Sequence, residues 1–418
     1  MKKFTILVFL FSIITINLYS QDKDWKIGGQ IQLRTELDGR DFSNKTYPPI
    51  FTSLRTRAFV EKNVSDKFNF YVELQDSRVF GEEASLTANS KNIDLHQGYV
   101  WFKNFVKAPI SVQAGRFEMS YGTERFIGAL GWNYVARSFD GARIRFGENN
   151  KTDIFAITTK NSVPYIASGN PSNYPYPSGS DSSSSLYGLW SNIKADEKNT
   201  LDFFGYYEVN RKKSDGTNND ISRATIGVNH RGNYEKFSTI FEGAYQLGKL
   251  SSLDVGAYLL SLQLSYGSKI CKGGFGVDML SGNEITNTTN NNTFATPFAT
   301  NHKFYGYMDY FLNIPVDTKN LGLNDYYVTF NYNPESVPLT TSLAGHYLMS
   351  NKKNSFDENA FGQEFDLTIK YQFIKEAAVT WGGSIFLPGD IMKRNFNTAN
   401  GVREDAAFWS YIMITTNL

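Results

Sequence analysis

The chain has 418 residues, 42 lysines and arginines against 41 aspartates and glutamates, and a formal net charge of +1. That balance gives no bulk attraction to nucleic acid. The single cysteine, Cys271, excludes an intrachain disulfide and, with four scattered histidines, a Cys/His metal site, so no cofactor is expected.

At the N-terminus, Lys2 and Lys3 precede an apolar run from Phe4 to Ile16, followed by Asn17, Leu18, Tyr19, Ser20 and Gln21. A basic start, an apolar stretch and a small residue before a polar one predict a secretory signal peptide over 1–20, cleaved after Ser20, ahead of a barrel domain over 21–418. The run falls short of the roughly 20 residues a helix needs to span a bilayer. Cys271 is far from this cleavage point and cannot be a lipoprotein anchor.

Beyond residue 20 the sequence has no second apolar run of spanning length, and its mean hydropathy is below zero. Segments of about ten residues instead alternate apolar and polar, as in a transmembrane β-barrel, where only every other residue meets lipid. Eighteen candidate strands fall near 25–37, 52–64, 67–78, 93–104, 109–118, 139–148, 151–160, 185–196, 199–210, 221–232, 236–247, 255–268, 270–281, 321–332, 338–349, 362–373, 376–387 and 406–417. Connections after even strands are short, among them Val64-Ser65-Asp66 and Ile374-Lys375; those after odd strands are mostly long, notably 38–51, 119–138, 161–184, 282–320 and 388–405. The predicted fold is therefore an all-β, antiparallel outer-membrane barrel with periplasmic termini and short turns and with extracellular loops. The aromatic content of 15 %, with 33 Phe and 25 Tyr, suits interfacial girdles.

Parity orients the strands. Ile31, Leu33 and Thr35 oppose Gln32, Arg34 and Glu36; Leu54, Thr56 and Ala58 oppose Arg55 and Arg57; Ala142 and Ile144 oppose Arg143 and Arg145; Ala224, Ile226 and Val228 oppose Arg223 and Arg231. An Arg facing lipid at the bilayer midplane would cost about 2–4 kcal/mol, so the charged face must be the lumen. A soluble β-sandwich shares the period of two, but arginine-dense stripes and long loops on one side only fit it poorly.

Inward arginines favour anions in a pore, and a guanidinium matches carboxylates bidentately. The alternative is that they brace the barrel against lumen acids, for which Glu36, Glu61, Glu73, Glu364 and Asp366 are available. Loop 282–320, with Asn and Thr filling most of 287–292, is too long to be idle in a compact protein; it either gates the pore or covers its mouth. Loop 161–184, rich in Gly, Ser and Pro, reads as an external loop.

Four blocks carry a family resemblance. They are Leu54-Arg55-Thr56-Arg57-Ala58-Phe59; Glu73 to Gly81, through Asp76-Ser77-Arg78; Asp94-Leu95-His96-Gln97-Gly98-Tyr99-Val100; and the run from Ala114-Gly115-Arg116 through Tyr121-Gly122, Arg125, Gly128 and Trp132 to Arg137-Ser138-Phe139-Asp140-Gly141-Ala142-Arg143. A later block, Asn301 to Tyr310, resembles a loop segment ahead of the fourteenth strand. Together they resemble the alginate export family of outer-membrane porins.

The resemblance implies an eighteen-stranded monomeric barrel whose arginine-rich constriction passes a polyuronate, with Arg55, Arg57, Arg78, Arg116, Arg125, Arg137 and Arg143 in matching positions. Arg34, Arg145, Arg223 and Arg231 join these as candidate pore-lining residues by parity. Arg78 and Arg116 conflict with parity, since Val72 and Leu74, and Val112 and Ala114, put them on the lipid side unless a bulge or a position above the apolar band intervenes.

The expected function is passive passage of an anionic polysaccharide or its oligomers; the alternative is a general small-solute or small-anion porin with structural arginines. The expected partners are the outer-membrane lipid, the anionic glycan or small anions, and periplasmic export proteins. An outer-membrane hydrolase is a third class, but no G-x-S-x-G occurs, and His96, His230, His302 and His346 read as strand or loop residues, so no enzyme is expected.

Overall fold

Residues 24–88, 92–160, 183–211, 220–396 and 403–418 are described by the computed structural model. The predicted signal peptide 1–20 lies outside the described residues, as does nearly all of the predicted loop 161–184.

Alternation with a period of two leaves each segment one apolar and one polar face, and only a closed sheet gives every backbone group a partner within lipid. Among the described residues the strands are β1 (Trp25–Gly39), β2 (Ile50–Ser65), β3 (Phe68–Val79), β4 (Ile93–Phe102), β5 (Ile110–Phe117), β6 (Phe139–Phe146), β7 (Lys151–Lys160), β8 (Ser184–Lys194) and β9 (Asn199–Asn210). They continue as β10 (Ile221–Tyr234), β11 (Phe237–Leu250), β12 (Leu253–Gly267), β13 (Cys271–Leu280), β14 (Leu323–Tyr332), β15 (Leu339–Met349), β16 (Ala360–Ile374), β17 (Ala377–Pro388) and β18 (Ala407–Asn417). A two-residue segment, Asn290–Asn291, adds a short parallel pairing on β12. Each strand pairs antiparallel with its neighbours in sequence. β1 closes the sheet on β18, from Gln30↔Asn417 to Gly39↔Phe408. The predicted eighteen-strand antiparallel barrel is observed, and the closed single sheet excludes the sandwich.

The faces follow parity. Ile31, Ile226, Leu260, Val328, Phe365 and Ile412 are exposed on the outside, while Gln32, Arg34, Glu36, Arg55, Glu242 and Asp278 are buried inside. Among the described residues no helix is long and apolar enough to cross a membrane. One pairing is irregular in a useful place. Between β3 and β4 the register steps from Glu73↔Gln97 to Leu74↔Leu95, leaving His96 as an extra residue; this bulge turns His96 inward beside Gln97.

Unusually for a barrel, the apolar core lies within the lumen. Phe117, Phe126, Phe294, Phe311, Phe386 and Trp409 are almost wholly buried there, each worth roughly 1.5–3 kcal/mol on burial. Much of that core comes from two long connections, β5 to β6 and β13 to β14. The second carries a single turn of 3-10 helix, Asn301–Lys303, and a short helix α1 (Ile314–Asp317). A helix α2 (Asp390–Phe396) follows β17.

Candidate functional site

The loop between β5 and β6 and the loop between β13 and β14 meet inside the barrel. Gly128 N–H donates to Phe298 O at 2.8 Å, Thr300 N–H to Glu124 O at 2.9 Å, and Thr300 Oγ1 to Glu124 Oε2 at 2.7 Å. Their apolar residues (Met119, Phe126 and Ile127 from one, Phe294, Met308 and Phe311 from the other) cannot remain in water and instead bury against each other and the wall. The long loop predicted over 282–320 therefore folds inward.

Two predicted arginines sit on the first loop and tie it to its surroundings. Arg125 is 3 % exposed. Its Nε donates to Glu242 Oε2 at 2.7 Å and its Nη1 to Asp278 Oδ2 at 2.8 Å and Tyr305 Oη at 3.0 Å, with the guanidinium 3.9 Å from the Phe304 ring centre. Burial alone would lower its pKa, but Asp278, Tyr305 and Glu242 more than compensate and hold it well above the ordinary arginine value. Among the described residues no carboxylate contacts Arg137; its Nη1 donates to the carbonyls of Gly128 at 3.1 Å, Ala299 at 3.2 Å and Phe298. Burial, opposed only by Glu124, draws its pKa down to about 10.

The wall arginines face inward and nearly all meet protein acceptors. Arg34 Nε donates to Glu36 Oε1 at 2.7 Å. Arg57 lies 3.4 Å from Glu73 and 3.2 Å from Glu118. Arg223 pairs with Glu208 at 2.5 Å, and Arg231 with Asp202 at 2.8 Å. Arg55 differs: its four bonds, all 2.8–3.0 Å, go to Gln30, Gln32 and the carbonyls of Gly131 and Asn133, none of them charged.

Arg78 and Arg116 require a correction to their placement among pore-lining residues. Both keep the outer parity: Arg78 faces Asp76 at 2.5 Å, and Arg116 faces Asp140 at 2.8 Å. Arg116 stands opposite Asp140, and Arg78 opposite the outward Leu54, with no register break at either residue. An outward arginine survives beside a carboxylate that offsets its charge.

A cavity of about 170 Å³ separates Ser120, Tyr121 and Gly122 of the first loop from the wall of β6–β9, and is lined there by Arg143, Arg145, Lys151, Asp153, Trp190 and Asn192, with Asp202 beyond. Gly122 has φ +59°, and a Cβ there would lie 3.1 Å from the Trp190 ring and 3.2 Å from Asp202 Oδ2, so glycine permits this close approach. Asp153 accepts from Arg145 Nε and Nη2 at 2.7 Å each and from Tyr121 Oη at 2.8 Å. Arg143 Nη1 reaches the same carboxylate only at 3.4 Å and Tyr121 Oη at 3.5 Å, and its Nε has no partner among the described residues. Of the predicted arginines, Arg143 and Arg145 line this cavity, and Arg143 is the one held less closely by Asp153.

Sequence reasoning missed the acids that hold the loops and arginines: Glu118, Asp153, Asp202, Glu208, Glu242 and Asp278. Parity alone marks all but Glu118 as inward, had their strands been read for acids as well as arginines. The structure also brings Ser138, His96 and Glu118 into line. His96 Nε2 is 2.7 Å from Glu118 Oε1 and Nδ1 is 3.2 Å from Ser138 Oγ. The serine hydroxyl donates to the His96 backbone carbonyl at 2.5 Å, however, and Glu118 also takes Arg57. Burial would raise the Glu118 carboxyl, but the His96 bond and the Arg57 charge outweigh it and hold it below its ordinary range. The arrangement braces the base of the loop.

The family model for alginate export matches residues 25–403. The chain belongs to the alginate export family. Among solved structures, the barrel superposes on Pseudomonas aeruginosa OccK5 (OpdH) with a TM-score of 0.61 at 11 % identity, covering 95 % of this chain and 98 % of that one. Acinetobacter baumannii OccAB1 gives 0.61 at 14 % identity, with 94 % and 96 % covered, and P. aeruginosa OccD3 (OpdP) gives 0.59 at 12 %, with 94 % and 91 % covered. Likeness at these identities concerns the fold. Comparison with curated proteins finds no match. Alginate export membership and the closed barrel together make the protein an outer-membrane channel.

Proposed function

We propose that this channel passes acidic saccharides, uronate-bearing chains or their short oligomers, by passive diffusion past Arg143 and Arg145. The observation that carries the reading is the cavity beside Ser120–Gly122, where Arg143, Arg145 and Lys151 face two carboxylates and Asp202 is already held by Arg231. Local positive charge in a confined space raises the concentration of anions there. The reading includes a bacterial outer-membrane location after removal of residues 1–20, periplasmic termini on the short-turn side, and a monomeric barrel.

A second reading, a general small-solute or small-anion porin, is favoured by a different observation: Arg34, Arg57, Arg125, Arg223 and Arg231 are each engaged by a carboxylate. Reversal potentials in planar bilayers, followed by polyuronate oligomers added to the short-turn side, separate the two. Anion selectivity with concentration-dependent block supports the saccharide conduit. Near-zero selectivity without block overturns it in favour of the general porin.

A further inference from the structure

The tip of the first loop rests on the wall of β1–β3, and its backbone contacts there are one-sided. Arg34 Nη1 donates to Trp132 O at 2.8 Å, and Arg55 Nη1 to Gly131 O at 3.0 Å and Asn133 O at 2.8 Å. Ser77 Oγ donates to Tyr134 O at 2.7 Å and Gln75 Nε2 to Val135 O at 2.6 Å. Five successive carbonyls, from Gly131 to Val135, are thus taken by donors from three adjacent strands. We propose that Arg34, Arg55, Gln75 and Ser77 are positioning residues that pin the loop tip by its carbonyl oxygens and thereby set where the loop stands in the lumen.

The registers make the donors one patch. Arg55 stands opposite Ser77 and Gln32, and Arg57 opposite Gln75, all on the inward face. Two of the donors, Arg55 and Gln75, are also aimed. Gln30 and Gln32 accept from the second arm of the Arg55 fork at 2.8 Å each, and Arg57 Nε donates to Gln75 Oε1 at 2.8 Å, which turns the Gln75 amide nitrogen towards Val135 O. Arg55 therefore presents its donors to backbone and not to a passing solute.

The tip needs such holding. It turns sharply, with Asn133 N–H on Leu130 O, and Leu130 and Ala136 bracket it at φ +52° and +61°, a region that side chains with a Cβ disfavour. The gain reaches the second loop, because Trp132, capped by the Arg34 guanidinium at 4.0 Å, stacks on His302 with ring centres 4.2 Å apart. The roles divide: Arg34 and Arg55 hold the constriction in place, and Arg143 meets what passes it. This division rests on the channel reading, whereas the pinning itself does not.

The test places a spin label at Val135→Cys, an exposed side chain, in a Cys271→Ser background, and adds Arg55→Lys, Arg55→Gln or Gln75→Ala. Heat-modifiable electrophoretic mobility confirms that each barrel folds. Pinning predicts loss of the immobilised spectral component in all three variants, because an ammonium cannot span two carbonyls and two glutamines as the guanidinium fork does. It also predicts noisier channels with an unchanged reversal potential, even for the uncharged Gln75. Retention of the immobilised component in Arg55→Gln and Gln75→Ala overturns the proposal, as does full recovery of the parent spectrum by Arg55→Lys. The spectrum can be read whether or not the protein conducts, so failure of the channel reading stays distinguishable from failure of the pinning.

Discussion

Arg145 takes both oxygens of Asp153 at 2.7 Å each, and so restricts Arg143, on the same face of β6, to contacts of 3.4 Å with that carboxylate. Two arginines share one acid, and the closer one is neutralised. Arg143→Glu is therefore expected to lower or reverse anion preference, and Arg143→Lys to preserve it. A unit charge at 4 Å is worth about 1 kcal/mol even in bulk water, so the permeability ratio should move roughly fivefold or more per charge. Reversal potentials across a salt gradient check this; a ratio unmoved by Arg143→Glu removes Arg143 from the conduction path.

Asp153→Asn reverses the logic. It frees both guanidiniums while leaving the loop hydroxyl of Tyr121 a neutral acceptor in place of the carboxylate. Anion preference should rise, and the folded barrel should lose about 2 kcal/mol because two partly buried cations lose their counter-charge. Paired bilayer recordings and denaturant titrations would show opposite trends in selectivity and stability. If both fall together, the carboxylate serves the path directly.

Arg125 is the loop residue whose loss should cost most. Arg125→Met leaves Glu242 and Asp278 buried without their shared cation, a situation that costs about 3–5 kcal/mol. Adding Glu242→Gln and Asp278→Asn to the same chain should restore much of the stability, since the buried charges go with the arginine. Urea midpoints of the parent, single and triple variants decide the matter; a triple variant no better than the single would mean that the clamp acts through geometry alone.

These roles show which parts of the site the sequence could carry. Strict alternation sets Arg34, Arg55, Arg57, Arg143 and Arg145 inside, because a one-residue slip would turn every apolar neighbour to the wrong face. The same parity correctly opposed a lumen position for Arg78 and Arg116, against the family motif. What alternation cannot show is where a loop goes. The pairing of Arg125 with Glu242 and Asp278 spans more than a hundred residues, and the bonds of Arg55 to the loop are to backbone carbonyls, which every residue possesses and no motif records. The bulge at His96 is likewise invisible to a period of two.

Outside the strands, Glu358 anchors α2 through Arg394, with oxygens 3.0 and 2.5 Å from the guanidinium nitrogens. The bonds from Arg394 and Asn354 draw the carboxyl down from 4.5 to about 2. Because the folded value lies below the unfolded one, the anchoring is complete above about pH 4.5 and fades as pH falls towards 2. Amide exchange of α2 should therefore stay constant from neutral pH to about 5 and quicken in acid, after correction for intrinsic rates. In Arg394→Gln the fast rate should appear at neutral pH; a parent profile that quickens already at pH 6 would assign the anchoring to another group.

Gly306 tests the hold of the second loop on the wall. Its φ is +89°, and a Cβ would fall 2.4 Å from the Glu364 carboxylate, which accepts Met308 N–H at 2.7 Å. Glu364 is fully buried on rigid β16 and cannot retreat. Gly306→Ala must therefore move the loop, through both the clash and the disfavoured backbone angle. The expected result is a folded barrel with altered conductance and more frequent closures or openings, and no change in charge preference, because Arg143 and Arg145 lie across the lumen on β6. Gly131→Ala is the control: a Cβ there meets nothing within 4 Å, so recordings should match the parent. Equal effects from the two substitutions would show that the recordings respond to general loop disturbance and not to the seat of Gly306 against Glu364.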